Sequence, residues 1–129
     1  MTITFKEIEA FNKGYRDSIF ILKSSINKIK RGHSMLEIGA LGVLIVDSPQ
    51  KIHEYTDMVN EYGEDYALGV ILGYPPKCVL RFSRASRIER KDFGTLSSGS
   101  FNFMCSEELK DYAVNYMKDR YGLESRFII

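Results

Sequence analysis

The chain has 129 residues, 44% hydrophobic and 27% charged, with a formal net charge of +1; that balance excludes a disordered chain and fits one globular domain over 1–129. The near-neutral total supplies no global field toward nucleic acid or a membrane, and the longest apolar run, around 41–46, is far shorter than the ~20 residues of a membrane span. The opening "MTITFKEIEAF" lacks a signal-peptide pattern and two cysteines are too few for a secreted disulfide scaffold, so a soluble cytoplasmic protein is expected.

Phe5, Ile8 and Phe11 recur at three-residue steps, and Ile19, Leu22, Ile26 and Ile29 at three and four. Both spacings predict helices with one buried face. Gly14 separates them, Lys28, Lys30 and Arg31 suit the last turn of the second, and Gly32 suits its C-cap. The apolar, β-branched run 41–46 predicts a buried strand, with a small hairpin back to 35–38 across Gly39 and Gly42. Pro49, preceded by Asp47 and Ser48 as caps, opens a helix whose stripe is Ile52, Tyr55, Met58 or Val59, and Tyr62; Gly63 ends it. A short, nearly uncharged helix follows over 65–74.

Pro75 and Pro76 must stop or kink that helix, and Pro76 suits the first position of a new one, "PKCVLRFSRASRIERK". "FGTLSSGS" reads as a loop and "FNFMC" as a strand. The next helix has Ser106 as cap, Glu107 and Glu108 in the first turn and Gly122 at its end. Its core positions are Leu109, Tyr112 or Ala113, Tyr116 or Met117, and Tyr121, and "SRFII" forms a last strand. The expected fold is α+β, predominantly helical, with a small sheet of two to four short strands.

Charge is arranged in blocks. The net is +4 over 1–33 (7 basic, 3 acidic) and −6 over 34–69 (1 basic, 7 acidic). It returns to +4 over 70–100 (6 basic, 2 acidic) and ends at −1 over 101–129 (4 basic, 5 acidic). Blocks of opposite sign favour pairing within the fold.

Two constellations could carry chemistry. Cys78 lies in the first turn of the helix opened by Pro76, with Lys77 and Arg81 nearby, a setting that lowers a thiol pKa. Cys105 immediately precedes the cap Ser106, so the two candidate thiols share a local setting, and adjacent helix starts would bring them within disulfide reach. The bland alternative is two buried small hydrophobes. Neither His33 nor His53 has ligand spacing to the cysteines, so no metal is expected, and no cofactor. The second constellation is the anion-binding candidates Arg81, Arg84, Arg87 and Lys91, with Arg90 among them, followed by a Gly/Ser loop. A solvated basic face pairing with the acidic 47–65 segment suits that run better than a nucleic-acid contact, since no phosphate-binding motif accompanies it. No G-x-S-x-G elbow anchors a hydrolase triad.

"LGYPPKCV", followed by a strand ending in "CS", resembles a poorly characterised group of small microbial proteins. These carry an L-G-Y-P-x-C-C-V segment and then a strand ending in P-C-S. The likeness spans about 66–113 and falls on Leu72, Gly73, Tyr74, Pro75, Cys78, Val79, Cys105 and Ser106. Lys77 stands where that group has the first cysteine of its pair, Met104 where it has proline, and no third cysteine follows. The resemblance implies a fold neighbourhood and no particular reaction. Three functions follow from the residues: a protein-binding or regulatory module, with a protein partner or a second copy; a thiol-dependent or anion-binding activity at Cys78 and Cys105; and, least favoured, nucleic-acid binding through 81–91.

Overall fold

The computed structural model describes the backbone of residues 3–129 and the side chains from residue 6 onward. Phe5 of the first apolar stripe therefore lies outside the described side chains. The fold is α+β, about half helical and a quarter strand. The described residues divide into two compact units, Met1–Leu72 and Gly73–Ile129. Each holds a three-stranded antiparallel sheet, where the sequence suggests a single sheet of two to four strands.

The first unit contains α1 (Ile3–Asn12), β1 (Ser18–Leu22), β2 (Ser34–Ile38), β3 (Gly42–Val46), α2 (Pro49–Tyr62) and α3 (Glu64–Ile71). Its sheet runs β1-β3-β2. The expected helix over 19–29 is instead β1 followed by a 3-10 turn, Lys23–Lys28. Ile19 pairs with Ile45 and Ile21 with Val43, and both join Ile8 and Phe11 of α1 in one buried cluster. Leu22, which a helical stripe would bury, is half-exposed. Alternation along the strand, and not a three-to-four spacing, decides what is buried here. The hairpin to 35–38 forms as expected: Leu36 faces Leu44 across the β2–β3 pair, and Gly39 takes a positive φ in its turn. All five residues of β3 are buried, as a central strand requires.

Charges close this unit around its strands. Arg31 donates to Asp17 at 3.1 Å, and Lys51 meets Asp47 at 2.8 Å. Arg31 also lies 3.8 Å from Asp47, so the first basic block does meet the acidic block that follows it. Arg16 is buried, with Nη1 3.7 Å from Glu7 Oε1 and Nη2 donating to the Leu72 carbonyl at 3.3 Å. Burial pushes the Glu7 carboxyl above its ordinary pKa, and the Arg16 guanidinium opposes that shift.

The second unit contains α4 (Pro76–Arg84), β4 (Phe93–Ser98), β5 (Phe101–Ser106), α5 (Lys110–Tyr121) and β6 (Arg126–Ile128). Its sheet runs β5-β4-β6. The supposed Gly/Ser loop is thus the central strand. Gly94 permits it: a Cβ there would lie 2.5 Å from the Ile128 carbonyl and 2.7 Å from the Phe127 ring. Leu96, Phe101, Phe103, Cys105, Ala113, Met117 and Cys78 form the buried cluster between the sheet and the helices α4 and α5. The opposite face of the sheet carries Thr95, Met104 and Ile128 in one cross-strand row, with Met104 and Ile128 exposed. No helix among the described residues is long and apolar enough to cross a membrane.

Candidate functional site

The diproline corner sets the position of Cys78. Gly73, at φ +90°, turns the chain after α3, and its carbonyl accepts a hydrogen bond from Tyr121 Oη at 2.7 Å. Tyr74 stacks on Phe103 at 5.0 Å and meets Phe101 edge-on at 6.3 Å. Pro75 is fully buried, and Pro76 occupies the first turn of α4. The two prolines are punctuation, and the corner they make is bolted onto the aromatic side of β5 and the end of α5. One turn on, Cys78 faces inward.

Cys105 reaches the same point from β5. It pairs across the strands with Gly94, whose missing side chain leaves that face open to the Phe127 ring. The two sulfurs are 3.8 Å apart, and both residues are free thiols, 1% and 0% exposed. Cys105 Sγ donates to the Ser106 carbonyl at 3.3 Å. Either sulfur can donate in the contact between them; the arrangement that also uses the Ser106 carbonyl has Cys78 as the donor. The sequence leaves open whether the two thiols meet; they do, with Cys105 on β5 and not at a helix start.

The electrostatics of Cys78 differ from the sequence expectation. The neighbouring Cys105 sulfur, followed by burial, pushes the Cys78 thiol well above its ordinary pKa. A helix start does not lower it because the Cys78 and Val79 N–H groups both donate to the Pro75 carbonyl, at 3.0 and 3.1 Å. The nearby cations are engaged elsewhere. Lys77 sits over the Tyr112 ring at 5.0 Å, while Arg81 donates to Glu108 at 3.0 Å and to Glu89 at 3.3 Å. Cys105 is moved the other way, because the Cys78 S–H stabilises a Cys105 thiolate.

The arginine run does not form one helical stripe. α4 ends at Arg84, and a 3-10 turn, Glu89–Asp92, begins after a break. Ser86, ahead of that turn, makes the reciprocal bonds of a capping box with Glu89: Glu89 N–H donates to Ser86 Oγ at 3.2 Å, and Ser86 N–H donates to Glu89 Oε1 at 3.0 Å. Arg90 folds back over Phe82, 4.0 Å from the ring centre, and donates to the Phe82 carbonyl at 2.9 Å. Arg84, Arg87 and Lys91 are exposed. Arg81 and Arg90 are thus held by groups of their own unit, Arg81 by Glu89 and Glu108.

Sequence reasoning missed the buried pair Arg16 and Glu7, in the first unit. Ser106, expected as a helix cap, instead precedes a short 3-10 turn, Glu107–Leu109, without capping it. Its buried Oγ has no hydrogen-bond partner among the described residues. Among the described residues no group of three or more His, Cys, Asp or Glu side chains could hold a metal ion. No protein family, curated protein or solved structure matches this chain.

Proposed function

We propose that the protein is a small regulatory, protein-binding module whose switch is a thiol–disulfide couple at Cys78 and Cys105. The observation that carries this reading is the 3.8 Å approach of two free sulfurs from different elements, α4 and β5. A disulfide requires the sulfurs to close to ~2.05 Å, a movement of under 2 Å, which a rotamer change with a small shift of the α4 start can supply. The bond would tie the corner at Gly73–Tyr74–Pro75 to the strand that carries Met104 on its other face. Met104 and Ile128, exposed on either side of Thr95, are the apolar positions at which a protein partner or a second copy would be read. The resemblance in the "LGYPPKCV" and "CS" segments supports the same pair, since both cysteines fall on that group's cysteine positions.

The test is to poise the native protein in dithiothreitol and in diamide, then count free thiols by alkylation and mass, and size both forms. Loss of two thiols and two protons within one chain, with a change in elution, supports the reading. Two free thiols after treatment of the folded protein with diamide and, separately, with hydrogen peroxide would remove it.

A further inference from the structure

We infer that the couple is closed by a small neutral peroxide, with Cys105 as the sulfur that is attacked first and Cys78 as the one that resolves it. The inference rests on the thiol–disulfide reading above and adds the oxidant class and the order of events.

The access argument comes from burial. Cys78 and Cys105 are 1% and 0% exposed and lie within a cluster of Leu96, Phe101, Phe103, Ala113 and Met117. A disulfide oxidant must bring its S–S axis into line with the attacking sulfur. A charged tripeptide disulfide or a protein disulfide cannot do so at a sealed sulfur. Hydrogen peroxide is uncharged and close to water in size, so a small local opening admits it. The cations nearest Cys78 in α4 are engaged elsewhere, Arg81 by Glu108 and Glu89 and Lys77 over the Tyr112 ring, so neither recruits an anionic oxidant.

The order of events comes from the hydrogen bonds. Either sulfur can donate to the other, but Cys105 also has the Ser106 carbonyl as an acceptor at 3.3 Å, so the arrangement that uses both S–H groups has Cys78 donating to Cys105. When Cys105 loses its proton, the Cys78 S–H already points at the new thiolate. The reverse ionisation would have no such donor without turning Cys105 away from Ser106. The Cys105 thiolate attacks one peroxide oxygen, the O–O bond breaks, and hydroxide leaves and takes up the proton that Cys105 released. Cys105 is then a sulfenic acid. The Cys78 sulfur, already in van der Waals contact, attacks the Cys105 sulfur. The S–O bond breaks, and the departing hydroxyl takes the Cys78 proton as water. The balance is two thiols and one hydrogen peroxide giving one disulfide and two waters.

The rate of disulfide closure is measured with hydrogen peroxide and with oxidised glutathione, on the folded protein and on the protein unfolded in urea. Unfolding is expected to accelerate the glutathione reaction at least about ten-fold more than the peroxide reaction. Equal acceleration of both would overturn the oxidant class while leaving the couple intact; no closure of the folded protein by peroxide, oxidised glutathione or diamide would sink the underlying reading as well. The roles are read by dimedone capture of sulfenic acid in Cys78→Ser and Cys105→Ser, each checked for native near-ultraviolet circular dichroism. Capture at Cys105 in C78S, and about ten-fold less at Cys78 in C105S, is expected. The opposite pattern would overturn the order. If a variant loses its fold, brief peroxide exposure of the wild type with dimedone present, followed by peptide mapping, gives the same answer.

Discussion

Gly73 shows how much one residue can decide. Its φ of +90° is open to glycine and strained for other residues, and a Cβ there would lie 2.5 Å from Tyr121 Oη. The same hydroxyl donates to the Gly73 carbonyl, so the close approach that excludes a side chain also holds the corner. Gly73→Ala should cost about 1–3 kcal/mol in urea unfolding, from backbone strain together with the displaced hydroxyl. Tyr121→Phe removes the hydroxyl and with it the steric part. In that background the Gly73→Ala penalty should shrink, and the difference measures the coupling between corner and helix end. Equal penalties in both backgrounds would mean that the hydroxyl swings aside and only the backbone term remains. Gly94 works differently: its φ is ordinary, and what it provides is room for the Phe127 ring.

At the scale of elements, the sequence was legible where one signal stood alone. α2 begins at Pro49 behind Ser48 and stops at Gly63, and β3 falls on the β-branched run. α5 buries Ala113 and Met117 on its stripe and closes at a left-handed Gly122. It was illegible where two signals overlapped. "SIFILKSSINKI" satisfies a helical spacing, yet its first five residues pair with β3, so a long-range ladder overrides the local period. β4 looked like a loop because Gly94, Ser97 and Ser98 have turn chemistry. Their reasons are tertiary: Gly94 makes room for Phe127, Ser97 bonds Asn102 across the strands, and Ser98 donates to the Glu124 carbonyl. The early end of α4 did have a local sign in "SRIE", the Ser-x-x-Glu of a capping box, which announces a new start at Ser86. That box makes a pH prediction. The Ser86 N–H, followed by its hydroxyl, holds the Glu89 carboxyl below the usual carboxylate range, and Arg81 adds to the effect. A depressed folded pKa contributes stability that is present above the unfolded carboxylate pKa of ~4.3 and is lost as pH falls through the folded value. Glu89→Gln should therefore lower the melting temperature at pH 7, and the gap to wild type should close on acidification below about pH 4. A gap that stays constant with pH would assign the effect to shape and not to charge.

For the whole molecule, what the sequence could not supply was how elements far apart in the chain meet. The candidate thiols are 27 positions apart, and their local settings resemble each other only by analogy. Their meeting depends on the Gly73 corner docking on Phe101, Phe103 and Tyr121, and on a central strand that the composition disguised. The meeting sets their electrostatics as well as their proximity: what brings the sulfurs together is a hydrophobic cluster, and within it the Cys105 sulfur, followed by burial, raises the cost of ionising Cys78. Closing the pair should then act on the second unit chiefly through chain entropy. A cross-link spanning that separation removes about 3–4 kcal/mol of unfolded-state freedom. Oxidised protein should resist urea by up to that amount relative to reduced protein. Hydrogen exchange should slow most in 73–129, the stretch that contains both ends of the closed loop, and least in α1–β1. The unfolding comparison with and without reductant decides it. A gain near the entropic figure means that α4 and β5 already hold the sulfurs in nearly the bonded geometry. A gain below about 1 kcal/mol means that closing the last ångströms strains α4 against the sheet. In that second case the strained oxidised form would be the less compact one, and the change would be read along β5, which takes α4 on one face and carries the exposed Met104 on the other.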